Sequence, residues 1–132
     1  MSVVLLDTTF LIDAERAQAE LDAVLDDNDD VAVAAITVAE LLVGVELASP
    51  SHRELRKAFV QDVISSLPVI PYDLSIAQEH ARLLAAVKRA GRPRGAHDLV
   101  IAATARATKR AVVTGDPSAF DDLPGVEVHS HQ

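Results

Sequence analysis

Four acidic residues that lie far apart in the chain are the strongest candidates for chemistry in this sequence. Each follows a short apolar run or opens a helical pattern, and they are Asp7, Glu40, Asp98 and Asp116. Hard divalent cations such as Mg²⁺ prefer oxygen ligands, and bound Mg²⁺ keeps several waters and contacts substrate phosphate. Brought together, these carboxylates would suit metal-assisted hydrolysis of a phosphodiester bond.

The order of the apolar segments predicts how the acids are positioned. Runs of buried-strand composition lie at 3–6, 31–36, 67–71 and 111–114, with a short last strand at 126–129. Helical patterns separate these runs, including one at 17–26 and one that opens with a capping box at Thr37. Strands that alternate with helices indicate parallel pairing and a three-layer α/β/α sandwich. The length of 132 residues is that of one domain, 1–132.

In such sheets, sites form beyond the carboxyl ends of the strands. Asp7 and Asp116 follow strands directly or by two residues, and Glu40 lies in the first turn after a strand. The helix that begins near Asp98 must run towards the start of the strand at 111–114, so its own start lies at the same edge. Four crowded carboxylates stay ionised only if cations join them or if some keep their protons.

Each acid also has a structural interpretation when it is taken alone. Glu40 would complete the capping box with Thr37, and Asp98 would suit any helix N-terminus. Asp7 and Asp116 would serve as turn residues. A zinc site is excluded as the alternative metal centre, since the chain has no Cys and no His pair at ligand spacing.

The net charge of −8 argues against general affinity for nucleic acid, but the charge is unevenly distributed. Residues 1–30 carry nine acids and one base, whereas residues 81–110 carry eight bases and one acid. The two segments are either solvated surfaces or an acidic site beside a basic rim that could meet a phosphate polymer. Arg92 and Arg94 are candidates for RNA phosphate contacts, unless they simply solubilise an exposed loop.

The apolar content of 49% and the mean hydropathy of +0.20 exclude a disordered chain. The N-terminus has no basic segment before its short apolar run, so a signal peptide is not expected. The longest apolar stretch contains Glu40 and Glu46 and is too short and too charged to span a bilayer. We therefore expect a cytoplasmic protein without membrane association.

Four motifs occur in a characteristic order. They are Leu6-Asp7-Thr8-Thr9, the segment from Thr37 through Glu40 to Gly44, the segment from His97-Asp98 to Thr104, and Val113-Thr114-Gly115-Asp116 followed by Phe120. With these motifs the chain resembles a PIN-domain ribonuclease, specifically the toxin half of a VapBC-type toxin–antitoxin pair. The resemblance covers nearly the whole chain.

The resemblance implies a PIN-like fold with a central, mainly parallel five-stranded sheet and an acid cluster that binds Mg²⁺ or Mn²⁺. The positions that match the family's acids, and that are therefore expected to be both catalytic and metal-binding, are Asp7, Glu40, Asp98 and Asp116. Thr8 and Thr114 match its supporting hydroxyls. The implied activity is that of an endoribonuclease toxin that hydrolyses RNA with a metal-bound water, leaving a 5′-phosphate and a 3′-hydroxyl.

The sequence departs from the family pattern at two positions. Thr9 stands where the family tends to have Ser, which keeps a hydroxyl. Gly115 stands where the family often has Asn or another small residue, so a side-chain contact is expected to be absent there. Neither departure removes a metal ligand.

The resemblance also implies partners. These are an RNA substrate and a small VapB-type antitoxin that blocks the site, with the toxin forming a homodimer and a hetero-oligomer with the antitoxin. Apolar residues in the helices predicted over 37–49 and 51–66 either form the antitoxin groove or a dimer contact, or pack in the core. They are Leu41, Leu42, Val45, Leu47, Leu55 and Phe59.

Two rival functions remain at this stage. A haloacid-dehalogenase-type phosphatase also carries an aspartate after its first strand, and Asp116 with Asp121 resembles its last motif. That family needs a second Asp where this chain has Thr9. The other rival is a catalytically silent PIN-like module that binds proteins. Metal-dependent cleavage of RNA would exclude both.

Overall fold

The computed structural model describes residues 1–130, apart from the side chains at positions 23 and 24. Five strands form one sheet in the order β3-β2-β1-β4-β5, and every neighbouring pair is parallel. The strands are β1 (Val3–Leu6), β2 (Asp30–Ala34), β3 (Val69–Ile70), β4 (Ala111–Thr114) and β5 (Val128–Ser130). The predicted five-stranded, parallel α/β/α architecture is therefore confirmed.

Helices connect the strands and cover both faces of the sheet. They are α1 (Thr8–Arg16), α2 (Leu21–Val24), α3 (Ala35–Glu46), α4 (Pro50–Ser66), α5 (Leu74–Ala90) and α6 (Ala96–Thr108), and a 3₁₀ turn follows at Pro117–Ala119. Among residues 1–130, none of these helices has the length and apolarity that a bilayer crossing requires.

Alternate residues of β1 and β2 enter two separate apolar cores because side chains along a strand point to opposite faces. Leu5 packs with buried residues of α5 and α6, such as Leu83 and Ile101. Leu6 packs on the other face with residues of α1 and α4, such as Leu11 and Val63. Burial on both faces explains why the strands read as continuous apolar runs instead of alternating ones.

Several predicted boundaries are wrong, and one of them removes the predicted capping role of Thr37. Helix α3 begins at Ala35, its N-cap residue is Ala34, and no side chain caps it. The strand runs directly into the helix, so Thr37 lies inside the first turn, fully buried, with its hydroxyl oxygen 3.3 Å from that of Thr8. Glu40 is therefore not half of a capping box.

The helix predicted over 17–26 shrinks to Leu21–Val24. Gln18, with φ of 54°, terminates α1 in a left-handed conformation, and acidic turn residues follow the short helix. The last strand begins two residues later than predicted, at Val128.

Lys109 ends α6 in the left-handed region, with φ of 56° and ψ of 47°. This conformation costs a residue with a Cβ atom roughly 1–2 kcal/mol, and glycine avoids that cost. We expect Lys109→Gly to raise the free energy of unfolding by about 1 kcal/mol, as measured by urea denaturation, because part of the gain is offset by the greater entropy of an unfolded glycine. The same substitution at Lys88, inside α5, should instead lower stability by about 1 kcal/mol.

Candidate active site

Asp7 lies at the carboxyl end of β1, is 2% exposed, and caps α1 by accepting a hydrogen bond of 2.9 Å from the Phe10 N–H. Its own backbone N–H donates to the carbonyl of Val113 at 3.0 Å and so ties the position to β4. The end of β1 and the start of α1 together fix this carboxylate at the sheet edge.

Two hydroxyls hold the Asp7 carboxylate from the side. The Thr9 hydroxyl lies 2.9 Å from Oδ1, and the Thr114 hydroxyl donates to Oδ2 at 2.6 Å. Each hydroxyl oxygen in turn accepts a backbone N–H from the loop after β4, Thr9 from Gly115 and Thr114 from Asp116. The carboxylate is thus oriented by hydrogen bonds from the first turn of α1 and from the end of β4.

Burial raises the pKa of the Asp7 carboxyl above its ordinary value, and the negative charge of Asp116 adds to the rise. Hydrogen bonds from Thr114, Thr9 and the Phe10 N–H act in the opposite direction without reversing it. The folded protein therefore holds a carboxylate in a place that disfavours its charge, as expected where a cation would compensate it.

Thr8 connects the site to α3. This buried residue donates its hydroxyl proton to Glu40 Oε1 at 2.7 Å. The other oxygen of Glu40 lies 3.4 Å from Nδ1 of the exposed His97. The Thr8 hydroxyl thus orients Glu40, and its role as a supporting hydroxyl of the site stays a prediction.

Asp98 lies in the first turn of α6, and its carboxylate folds back over Gly95, where a Cβ atom would lie 2.9 Å from Oδ2. Burial raises the pKa of this carboxyl above its ordinary value. The charges that raise it further belong to Glu40, Asp7 and Asp116, and His97 lowers it. The four acids predicted from the sequence therefore interact electrostatically at one edge of the sheet.

Asp116 is the most solvent-accessible of the four, and it precedes the 3₁₀ turn that follows β4. Its Oδ1 accepts a hydrogen bond from the hydroxyl of Ser118, and its backbone N–H is held by Thr114. Exposure at the mouth of the cluster leaves this carboxylate accessible from solvent.

The four acids fit a hard divalent cation because all the donor atoms are carboxylate oxygens. Within residues 1–130, no Lys or Arg side chain forms an ion pair with any of the four, so their mutual repulsion is not compensated. No three acidic or histidine side chains within residues 1–130 already stand close enough together to enclose an ion. Mg²⁺ does not need such a cage, since it is usually held by one or two carboxylates together with waters and substrate phosphate.

Thr114 offers a test of how Asp7 is held. We expect Thr114→Val to lower the free energy of unfolding by about 1–3 kcal/mol, because it removes a donor to a buried carboxylate and leaves the Asp116 N–H unpaired. Activity should fall about 10- to 100-fold, as is usual when a residue that orients a metal ligand is lost. Thr108→Val is the control in thermal unfolding and activity assays, since the Thr108 hydroxyl only bonds the Thr104 carbonyl within α6. Equal effects of the two substitutions would contradict this role.

Arg92 and Arg94 make no contact with the acid cluster among the described residues. Arg92 lies 3.3 Å from an Asp122 carboxylate oxygen, and Arg94 donates to the backbone carbonyl of Asp121. Both side chains hold the loop after the 3₁₀ turn, so their contact with RNA stays a prediction. Arg110, also in the basic segment, lies at the opposite edge of the sheet, where it bonds Asp30 and the carbonyl of Val4.

The sequence reasoning missed Asp13. It lies one helical turn after Thr9 in α1, and its carboxylate rests against the backbone of Gly115. The space left by the absent side chain at position 115 is thus partly filled. The spacing of four residues from Thr9 was the available signal, since such residues share one helix face.

Comparison with known proteins gives one family and many relatives. The family described as "PIN domain" matches residues 4–126. The "tRNA(fMet)-specific endonuclease VapC" of Salmonella typhimurium is 33% identical over 96 residues, which are 73% of this chain and 71% of that protein. The "Ribonuclease VapC5" of Mycobacterium tuberculosis is 30% identical over 125 residues, covering 93% of this chain and 91% of that protein.

A solved structure shows the same architecture. A chain of VapBC-5 from Mycobacterium tuberculosis, described as a member of the VapBC family of toxin–antitoxin systems, superposes with a TM-score of 0.81 at 32% identity. The alignment covers 99% of this chain and 100% of that one. The similarity therefore extends over the whole sheet and both helical layers.

Proposed function

This chain belongs to the PIN-domain family as a ribonuclease of the VapC type, and we propose that its catalytic centre is the cluster of Asp7, Glu40, Asp98 and Asp116. PIN ribonucleases generally use a divalent metal ion, and we propose Mg²⁺ or Mn²⁺ here because all the candidate ligands are carboxylates. The proposed unit is a single nuclease domain over residues 1–132.

The observation that carries this proposal is the convergence of the acids at one sheet edge: Thr114 bonds the Asp7 carboxylate and holds the Asp116 N–H, and Thr8, next to Asp7, bonds Glu40. Burial raises the pKa of the Asp98 carboxyl, and the charges of Glu40, Asp7 and Asp116 raise it further. Natural proteins seldom keep four like charges together without a compensating ligand, since the repulsion destabilises the fold. A cation would remove that repulsion and would also attract a phosphate.

We assign Asp7 and Asp98 as the first-choice metal ligands. A bound divalent cation would lower the pKa of water and neutralise charge that develops on the phosphate. Thr9 and Thr114 keep the Asp7 carboxylate in one orientation through bonds to its two oxygens. Thr8 binds Glu40 Oε1, and Oε2, which lies 3.4 Å from His97 Nδ1, would bind the cation or orient the attacking water. Asp116, at the mouth, would meet the cation directly or through water.

The proposed substrate is RNA, and the proposed products carry a 5′-phosphate and a 3′-hydroxyl. We expect the protein to act in the cytoplasm, where its substrate is made. The target sequence depends on side chains outside the acid cluster. With one Tyr, three Phe and no Trp in the chain, recognition through shape and the RNA backbone is favoured over base stacking.

The proposed protein partner is a small VapB-type antitoxin, and a homodimer is the expected state of the toxin within the complex. A groove of about 510 Å³ lies between α1 and α4, with Leu55 on its wall 71% exposed and Phe59 half-buried. Leu42 and Leu47 are also exposed, whereas Leu41 and Val45 are buried in the core. The exposed residues Leu42, Leu47 and Leu55 are therefore available for contact with an antitoxin or a second copy of the chain. Leu41 and Val45 pack in the core instead.

The phosphatase alternative loses its support at position 9. The Thr9 hydroxyl binds Asp7 and accepts the Gly115 N–H, so the position serves to orient the first acid and supplies no second carboxylate. In a catalytically silent binding module, the repulsion among the four acids would serve no function. The cleavage experiment below distinguishes such a module from a nuclease.

The test is incubation of partner-free protein with total bacterial RNA and Mg²⁺ or Mn²⁺, with EDTA in parallel. We expect discrete cuts that EDTA abolishes and whose mapped ends are 5′-phosphates. If the folded protein produces no metal-dependent cleavage with either cation across the pH range, the silent-module function replaces the one proposed.

A further inference from the structure

Asp13 is an acid at the edge of the cluster that the proposed chemistry does not yet use. A Cβ atom placed on Gly115 would lie 2.5 Å from Asp13 Oδ2, 3.6 Å from its Cγ and 3.5 Å from Thr9 Oγ1. The carboxylate therefore lies beside Gly115, the residue between Thr114 and Asp116. The side chain is exposed, so water or an ion can reach it.

The contact with Gly115 places the negative charge of Asp13 beside the backbone that helps to orient Asp7. The N–H of Gly115 bonds Thr9, and the N–H of Asp116 bonds Thr114, so the backbone beside Asp13 belongs to the network that orients Asp7. The other acid in this part of α1 points elsewhere, because Glu15 lies 3.6 Å from Arg56 of α4. Asp13 is thus the α1 acid that lies beside Gly115, the residue before Asp116.

Resting on the proposed function, we infer that Asp13 is a fifth acidic residue of this site, a positioning residue that strengthens binding of the divalent cation from the rim. It acts through its charge and through water, since its carboxylate lies beside Gly115 and not among the other four. Residues in the outer shell of a metal commonly change metal affinity 10- to 100-fold. Glycine at 115 follows from this arrangement, because a larger residue would displace the Asp13 carboxylate.

The test is calorimetric titration of Mn²⁺ into the metal-free protein without RNA. We expect Asp13→Ala to weaken Mn²⁺ binding about 10-fold. Asp27→Ala, which removes an exposed acid in the turn before β2, should leave the dissociation constant unchanged. Circular dichroism checks that each variant is folded.

A double-substitution cycle isolates the contact itself. Gly115→Ala should weaken Mn²⁺ binding in the same direction but less than Asp13→Ala, because a Cβ atom at 115 displaces the Asp13 carboxylate without removing its charge; position 115 has no left-handed φ that would strain alanine. The two substitutions together should lose no more than Asp13→Ala alone, because the Cβ atom then has no carboxylate to displace. Unchanged Mn²⁺ affinity in Asp13→Ala, with the wild type binding, would overturn the inference alone. Absence of Mn²⁺ binding in the wild type would overturn the proposed function, and the inference with it.

Discussion

Replacing Asp98 or Asp7 by Asn is expected to reduce RNA cleavage by about 100-fold or more while the fold persists. Metal ions contribute several kcal/mol to the stabilisation of such transition states, and 1.4 kcal/mol corresponds to a factor of ten. Asparagine keeps the size of the side chain and can still accept the N-capping bond at position 7. The loss should therefore appear in the rate and not in the yield of folded protein.

The measurement is single-turnover cleavage of the mapped RNA at saturating Mn²⁺. Asp27→Asn is the matched control, since it removes the same charge from an exposed turn outside the cluster. Rates of Asp98→Asn and Asp27→Asn that agree within a factor of about three would contradict the assignment of Asp98.

The second large effect is on stability: the substitution that impairs cleavage is expected to make the metal-free protein more stable. Without metal, Asp98→Asn should raise the melting temperature by roughly 3–6 °C, the shift expected for about 1 kcal/mol in a domain of this size. The substitution removes a charge that is partly buried and repelled by Glu40, Asp7 and Asp116. Saturating Mn²⁺ should raise the melting temperature of the wild type, because a ligand of the folded state stabilises it, and should raise that of Asp98→Asn much less.

The dependence of the metal-free protein's stability on pH follows from the same carboxyl groups. The pKa values of Asp7 and Asp98 are raised in the folded protein, so the folded state binds more protons than the unfolded state. The stability these groups contribute is complete below the unfolded pKa, near 3.8, and is lost as the pH rises through the folded values. Thermal unfolding of metal-free protein between pH 4 and 7 should show this loss, and Asp98→Asn should lack its share.

A wild-type protein whose metal-free stability rose steadily with pH over that range would contradict the raised pKa values. So would an Asp98→Asn variant that melted below the wild type in EDTA.

The convergence of the four acids could be predicted because it depends on topology alone. Parallel strands end at one edge, so Asp7 and Asp116 had to meet there, and the direction of α6 brought Asp98 to them. Topology alone does not predict which side chains contact one another. Thr37 has the spacing of a helix cap, yet the direct passage from β2 into α3 buries it beside Thr8.

Contacts across loops were equally hidden from the sequence. Arg92 and Arg94 precede the helix that carries Asp98, which suggested phosphate binding, but their side chains turn to the loop at 121–122. Asp13 and Gly115 lie near opposite ends of the 132-residue sequence, and only the packing of α1 against the end of β4 brings them together. Such pairs depend on the angle between elements, which no local pattern specifies.

The most direct test of the central claim, that the four acids form one cation centre, is to locate Mn²⁺ by its anomalous scattering in crystals of the protein grown with that ion. We expect a peak at ligand distance from carboxylate oxygens of Asp7 or Asp98, and no such peak in Asp98→Asn crystals. The absence of a Mn²⁺ peak at the four acids, or a peak confined to the acidic residues of the 20–30 segment, would contradict a shared cation centre.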